Sequence, residues 1–357
     1  MTRVTRLLCT TSLCALAGGP AVAAEPVRLE LGGFFRAFAV AGDQDDGPGE
    51  PGAGIRTHGI ARESEVFFLG TTTLPNGISV GVDIQLEGET SPDQIDESYV
   101  WFEGLFGKLQ IGSKDPASDA LLFGPPVPLP GHGVNSPNLF HVAAGTNLVG
   151  TSQTFVNQTF DSDKVTYFTP RWQGFQLGLS YTPDNTEELG FGFRPDMNAG
   201  QFSEAIEGGG NWIGRAGPVD IGVHVAVGHG EREVGGPGLD DRRQWGAGGQ
   251  LGWRGLVLGA SFRQDDLGVS GSDRLDWNLG AAYTTGPWTV AAAFAHGEVD
   301  LPTGGEDELD HLEVGARYLV GPGITLAAGM QYVDFDSPRA SARNQAWLGL
   351  VGTEVAF

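Results

Sequence analysis

The chain has 357 residues, 57 of them glycine, and carries 44 acidic against 21 basic side chains for a formal charge of −23. That balance excludes nucleic acid and other polyanions as partners, because the summed field repels them. The two cysteines are Cys9 and Cys14, so the rest of the chain offers no thiol for a disulfide, a metal or a nucleophile.

Residues 1–24 have the form of a secretory leader. Arg3 and Arg6 precede a mostly apolar run from Leu7 to Gly19, and Ala21, Val22 and Ala23 form a small-residue cleavage site. The expectation is a signal peptide that is removed, leaving 25–357 as one exported domain. Beyond it, charged or polar residues interrupt every apolar stretch before the roughly 18 residues that a spanning helix needs. If this chain enters a membrane, it does so as strands.

A two-residue alternation recurs along the chain. Ile78, Val80, Val82, Ile84 and Leu86 alternate with Ser79, Gly81, Asp83, Gln85 and Glu87. Phe175, Leu177, Leu179 and Tyr181 alternate with Gln176, Gly178 and Ser180, and Val351, Thr353, Val355 and Phe357 share one face of the last segment. In a strand this period puts one set toward lipid and the other toward water.

Sixteen such strands begin near Val27, Ala61, Ile78, Ile95, Lys108, Lys164, Phe175, Phe202, Val219, Asp241, Leu256, Arg274, Trp288, Leu309, Ile324 and Gln345. Short Gly-, Pro- or Asn-containing turns join alternate pairs, as at Pro75-Asn76-Gly77, 253–255 and 320–323. The other connections are long and polar, as at 42–59, 184–200, 228–240 and 297–308. A soluble sandwich is the competing reading of the alternation, but it gives no reason for all the short connections to fall at one end. The expected fold is therefore all-β, an antiparallel transmembrane barrel with short turns on the periplasmic side and long loops outside the cell.

The segments Phe67-Phe68-Leu69-Gly70, Leu86-Glu87-Gly88-Glu89-Thr90, Asp93-Gln94-Ile95-Asp96-Glu97-Ser98-Tyr99 and Gly107-Lys108-Leu109-Gln110-Ile111-Gly112 resemble the general diffusion porins of Gram-negative bacteria, particularly the alphaproteobacterial type. Residues 163–181, with Tyr167, Pro170, Gly174 and Phe175, resemble the following hairpin of that family. The resemblance implies sixteen strands, a homotrimer in the outer membrane, and a third loop folded into the lumen. It also implies that Phe357 belongs to the signal read by the barrel-insertion machinery, although 352–356 lacks the family's usual aromatic residue.

The longest connection, 115–163, holds no Asp, Glu, Lys or Arg between Ala120 and Phe160 in a chain that is 18% charged. Leu121, Leu122, Phe123, Val127, Leu129, Leu139 and Phe140 make it unlike a solvated loop. It is expected to fold back against the barrel wall and narrow the pore. Asp115 and Asp119 are its acids, and by strand parity Glu63, Glu65, Asp83, Glu87, Glu97 and Glu103 line the facing wall, with Arg36, Lys108 and Lys114 as nearby cations. Arg242, Arg263 and Arg317 are candidate cations on the opposite arc. An acidic lumen favours cations.

Passive diffusion of small hydrophilic solutes and ions is the leading functional reading. A channel specific for a sugar or organic acid is the alternative, with Phe67, Tyr99, Trp101 and Trp245 as its aromatic track, although interfacial girdle positions are the preferred account of those rings. No nucleophile-elbow or zinc-helix motif supports an enzyme. His224 and His229 read as wetted lumen residues. No cofactor is expected; the acidic segments Asp43-Gln44-Asp45-Asp46 and Glu306-Asp307-Glu308 are the places where Ca²⁺ could be held, without a complete binding motif. A barrel plugged by its own loop remains a further reading.

Overall fold

The computed structural model describes residues 26–89, 94–135, 138–139, 141–186 and 197–357. The expected leader, and Phe140 of the long connection, lie outside the described residues. Sixteen strands follow in order: β1 (Arg28–Gln44), β2 (His58–Thr73), β3 (Ser79–Glu87), β4 (Ile95–Gly104), β5 (Gly107–Ser113) and β6 (Asp163–Phe168). Next come β7 (Phe175–Thr182), β8 (Phe202–Ala216), β9 (Val219–Arg232), β10 (Arg242–Trp253) and β11 (Leu256–Asp265). The last are β12 (Arg274–Thr285), β13 (Trp288–Asp300), β14 (Glu306–Gly321), β15 (Ile324–Asp336) and β16 (Asn344–Ala356). One helical turn, α1 (Ala117–Ala120), opens the connection between β5 and β6.

Every strand pairs antiparallel with its sequence neighbours, and β1 closes the barrel on β16. The backbones of Gly33 and Phe357 complete that seam by exchanging two hydrogen bonds, of 3.1 and 3.0 Å. Tight turns lie at one end. At Gly323, where φ is +72°, a Cβ would stand 2.2 Å from the carbonyl oxygen of Ala356, so glycine is required by the approach as well as by the turn.

Side chains directly opposite in the ladder share a face, so the register assigns the inside. Arg36, Glu63, Glu65, Asp83, Glu97, Glu103 and Lys108 all point inward. Outward positions are apolar and uncovered, as with Val223, Val225 and Val227 of β9 at 45, 63 and 62% exposure. Aromatic rings collect near both ends of this outer face. Trp212, Trp253, Trp288 and Tyr318 lie toward the tight turns, while Trp245 packs on Phe262 at 4.9 Å, Trp277 on Phe294 at 5.4 Å and Tyr332 on Trp347 at 4.5 Å toward the loops. Trp245 and Trp253 are separated by about 27 Å along β10, or about 20 Å along the barrel axis after strand tilt, close to the height of a lipid-facing band. Apolar surface between two aromatic rings is what a bilayer accommodates and water does not.

The buried apolar core lies inside the barrel. Phe38, Val40, Leu348 and Leu350 point inward and surround Leu129 of the long connection, while Val299, Leu309, Val333 and Phe335 enclose its Val149. Ala293 and Ala295 cover Val134, and Phe168 packs with Ala117 and Leu121.

Candidate functional site

Residues 114–162 run around the inner wall as a long hairpin, because strand side chains receive their backbone groups step by step. On the outgoing limb the Ala117 N–H donates to Ser180 Oγ at 2.9 Å, Asn211 Nδ2 to the Leu121 carbonyl at 3.2 Å, and the Phe123 N–H to His224 Nδ1 at 3.0 Å. Gln250 Nε2 then donates to the Gly124 carbonyl at 2.6 Å, the Leu129 N–H to Glu313 Oε1 at 2.8 Å, and Gln331 Nε2 to the His132 carbonyl at 2.8 Å. The turn of the hairpin reaches β1 and β2, where Asn138 Nδ2 meets Glu63 at 3.2 Å and Gln44 Oε1 accepts the Ala143 N–H at 3.1 Å. There His132 stands edge-on to Phe38, centroids 4.8 Å apart, and burial pushes its pKa below the ordinary imidazole range.

The returning limb is held by acids. The Leu148 N–H donates to Asp307 at 2.7 Å, that of Gln153 to Asp276 at 3.3 Å, and that of Gln158 to Glu207 at 2.7 Å. Thr154 Oγ1 joins Ser261 at 2.6 Å and Asn278 at 2.9 Å. At the root, the Lys164 ammonium gathers the carbonyls of Lys114, Phe160 and Ser162, tying the two ends of the hairpin together. A connection without charges can pack against so many carboxylates because its own N–H groups supply the donors that those carboxylates need once out of water.

The hairpin thus covers the wall from β7 through β16 and on to β1. Its described side chains make no hydrogen bond or ion pair to Asp83, Gln85, Trp101 or Glu103, so β3 and the turn-side half of β4, with the adjoining parts of β2 and β5, form the uncovered wall; toward the loops Glu97 is buried under the hairpin root by Lys114 and Glu63 is held by Asn138. Carboxylates predominate there. Glu65 is opposite Glu87, Tyr99 donates to Asp83 at 3.0 Å, and Glu103 is opposite Lys108. Lys114 bonds Glu97, and the Lys108 ammonium stands 4.9 Å from the centre of the Trp101 ring.

The predicted site residues therefore fall into separate groups. Glu65, Asp83, Glu87 and Lys108 lie on the uncovered wall, whereas Lys114, Asp115 and Asp119 lie at the root of the hairpin, the two acids sharing the Asn157 amide at 2.6 and 3.2 Å. Burial and the Asp115 charge push the Asp119 carboxyl up to about 7, and the same two causes push Asp161 up to about 8. Arg36 sits at the far turn of the hairpin, bonded to Glu354 at 2.5 Å and Glu63 at 3.1 Å. Arg317 faces inward near the turn end of β14, opposite Thr289 and Ala327.

Arg242 and Arg263 correct the expectation of an open basic arc. Arg242 is bound to Asp265 at 2.6 Å. Arg263 is 2% exposed, sealed behind the returning limb and paired with Asp276 at 2.7 Å, so it braces the hairpin and does not meet solvent. His224 is likewise dry beneath the hairpin, and His229 lies on the outward parity of β9. The rings divide as well. Trp245 is outward as expected of a girdle residue, whereas Phe67, Tyr99 and Trp101 point into the lumen.

Neither acidic segment proposed for Ca²⁺ gathers three carboxylates. Among the described residues that arrangement occurs at Glu97, Asp115 and Asp161, where Lys114 already occupies Glu97. The anchors Glu207, Asp276, Asp307, Glu313 and Gln331 were not identified from sequence. Their cue was the run of apolar residues at inward positions of β14 to β1, which a water-filled lumen does not explain.

A family model described as Gram-negative porin matches residues 10–338. The chain belongs to that family. The porin is 26% identical over 220 residues to a monosaccharide porin of a Halomonas species and to the major outer membrane protein of Halomonas elongata. Each alignment takes in 60% of this chain, and the matched region spans 55% of those relatives. Among solved structures, an anion-selective porin from Comamonas acidovorans superposes with a TM-score of 0.67 over 93% of this porin and all of that chain, at 17% identity. OmpT of Vibrio cholerae, in its trimer form, gives 0.64 over 93% of this porin and all of that chain, at 13% identity. At such identities the likeness is one of fold. With the lipid-facing belt, family membership places this porin in the outer membrane.

Proposed function

We propose that this porin is a passive, weakly cation-preferring diffusion channel, whose solutes pass between the hairpin of residues 115–163 and the wall of β2 to β5. The observation that carries this reading is the uncovered wall, where Glu65, Asp83, Glu87 and Glu103 outnumber Lys108. Charge rings at a constriction bias which ion enters. Of the three cations expected to oppose them, Arg263 is neutralised behind the hairpin and Arg242 is paired with Asp265, while Arg317 faces inward near the tight turns. A homotrimer accords with the family and with the trimer form of OmpT. The family also supports export through a leader at 1–24 and recognition of Phe357 during insertion.

Conductance in planar bilayers tests the proposal. Discrete steps with potassium more permeant than chloride support it; folded protein that passes no current favours a barrel closed by its hairpin.

A second reading, a channel for a particular small solute such as a sugar, is favoured by the inward Phe67, Tyr99 and Trp101. The monosaccharide porin among the relatives is consistent with it.

A further inference from the structure

Arg171 is a cation held by neutral groups alone. It precedes the two-residue turn Gln173-Gly174 between β6 and β7, whose φ values of +48° and +91° are both in the left-handed region that such a turn requires. Trp172 and Phe175 close the turn by exchanging backbone hydrogen bonds of 2.8 and 2.9 Å. From Nη1 the Arg171 guanidinium donates to the Gly174 carbonyl at 2.6 Å and to Asn211 Oδ1 at 2.9 Å, and from Nη2 to Gln176 Oε1 at 2.6 Å. Asn211 and Gln176 are inward and opposite each other in the ladder. Their own amide nitrogens are committed to the carbonyls of Leu121 and Thr169, which keeps both oxygens turned to the guanidinium. Arg171 forms no ion pair with a described carboxylate, and it is exposed. Its neighbours at this end differ, since Arg215 is paired with Asp220 at 2.6 Å and Lys108 stands opposite Glu103. The Arg171 turn also adjoins the uncovered wall: the Tyr167 hydroxyl donates to the Phe106 carbonyl at 2.5 Å, and a Cβ on Gly107 would come 3.1 Å from Pro170 Cδ.

We propose that Arg171 is a selectivity-determining charge at the turn-side mouth of the passage, opposite in sign to the acidic wall, and that the pair of them makes the channel rectify. An ion coming from the loops meets Glu65 and Glu87, then Asp83, then Glu103 with Lys108, and last Arg171. With the loop side positive, potassium enters over the carboxylates and chloride enters past the guanidinium. Both are driven toward the middle, their concentration there rises, and the current is large. The opposite voltage drains both ions and the current is small. An arginine keeps its charge at every working pH, and three acceptors on a tight turn keep that charge from swinging away. The fields reach about 10 Å in 0.1 M salt and about 3 Å in 1 M salt, so the effect fades as salt is added. This inference rests on the diffusion-channel reading and gives it a direction.

The test is the single-channel current at equal and opposite voltages, in symmetric potassium chloride of about 0.1 M and then about 1 M. Wild type should pass unequal currents in the dilute salt and nearly equal ones in the concentrated salt. Arg171→Gln should lose the inequality, whereas Arg171→Lys, which keeps the charge without the three-acceptor geometry, should retain it. Arg254→Gln removes a charge at the same end but on the outer face, where Arg254 lies 5.4 Å from the centre of the Trp253 ring, and it should behave as wild type. Equal currents from wild type in dilute salt overturn the proposal while leaving the diffusion channel intact. Inequality that survives Arg171→Gln also overturns it, as does equal loss in Arg171→Gln and Arg171→Lys, which would assign the effect to the shape of the turn. Absence of current from folded protein removes the channel reading and this proposal with it, so the two failures are told apart.

Discussion

The backbone N–H of Leu129 donates to Oε1 of Glu313 across 2.8 Å, and both residues are fully shut off from solvent. They are 184 positions apart in the chain, so this bond fastens the hairpin to the far wall. Gln331 braces the same carboxylate at 3.3 Å from the next strand. Replacing Glu313 with Ala leaves the Leu129 N–H without its acceptor and opens a space beside Leu129. The expected cost is about 2 to 3 kcal/mol of hairpin docking, seen as a lower unfolding midpoint and as larger or noisier single-channel steps. Unchanged conductance would show that this part of the hairpin does not set the passage.

Arg263 and Lys108 are both inward cations, yet they should behave differently. Arg263→Gln breaks a buried pair but leaves Asp276 to Arg274, which holds it at 2.7 Å. A loss of stability of about 1 to 3 kcal/mol is expected, with the reversal potential unmoved. Lys108→Gln should leave stability nearly as it was and strengthen cation preference. Thermal unfolding and reversal potentials on both variants separate a strut from a lumen charge.

Asp119 and Asp161 give the channel a pH dependence whose sign follows from their position. Their folded pKa values, about 7 and about 8, lie above the ordinary carboxyl value. Protonation therefore favours the packed root of the hairpin. That contribution is complete below about pH 4 and is lost as pH rises through 7 to 8. The unfolding midpoint should therefore fall between about pH 4 and pH 8 and level off above it, and the preference for potassium over chloride should rise as the two carboxyls lose their protons between about pH 6 and pH 9. Asp161→Asn should flatten both profiles.

The strands were legible because lipid imposes a strict rule on one face. Val223, Val225 and Val227 alternate with His224 and Ala226 and could only be a half-exposed strand. The hairpin's inward course was also legible, since 121–160 contains no charge. What covers what was not. Glu207, Asp276 and Glu313 look in sequence like any wetted lumen acid, and they are dry only because a distant segment donates to them. The first half of β16 held the missed sign: Ala346, Leu348 and Leu350 point inward while Gln345 faces out, the reverse of a polar lumen. Arg263 was misplaced for the same reason, because parity gives direction but not depth behind a folded loop.

In the proposed channel, solutes pass along β3 and β4 while the opposite arc is sealed by the hairpin. The chain's only cysteines are Cys9 and Cys14, inside the expected leader, so single-cysteine variants report one position each. A bulky charged thiol reagent should be added during current recording to Asp83→Cys and Glu103→Cys, and to Ser261→Cys and Gln331→Cys. Rapid loss of current at the first pair with none at the second is the predicted result. Modification and block at Ser261→Cys and Gln331→Cys, with Asp83→Cys and Glu103→Cys unaffected, would place the passage on the other side of the hairpin and contradict the account.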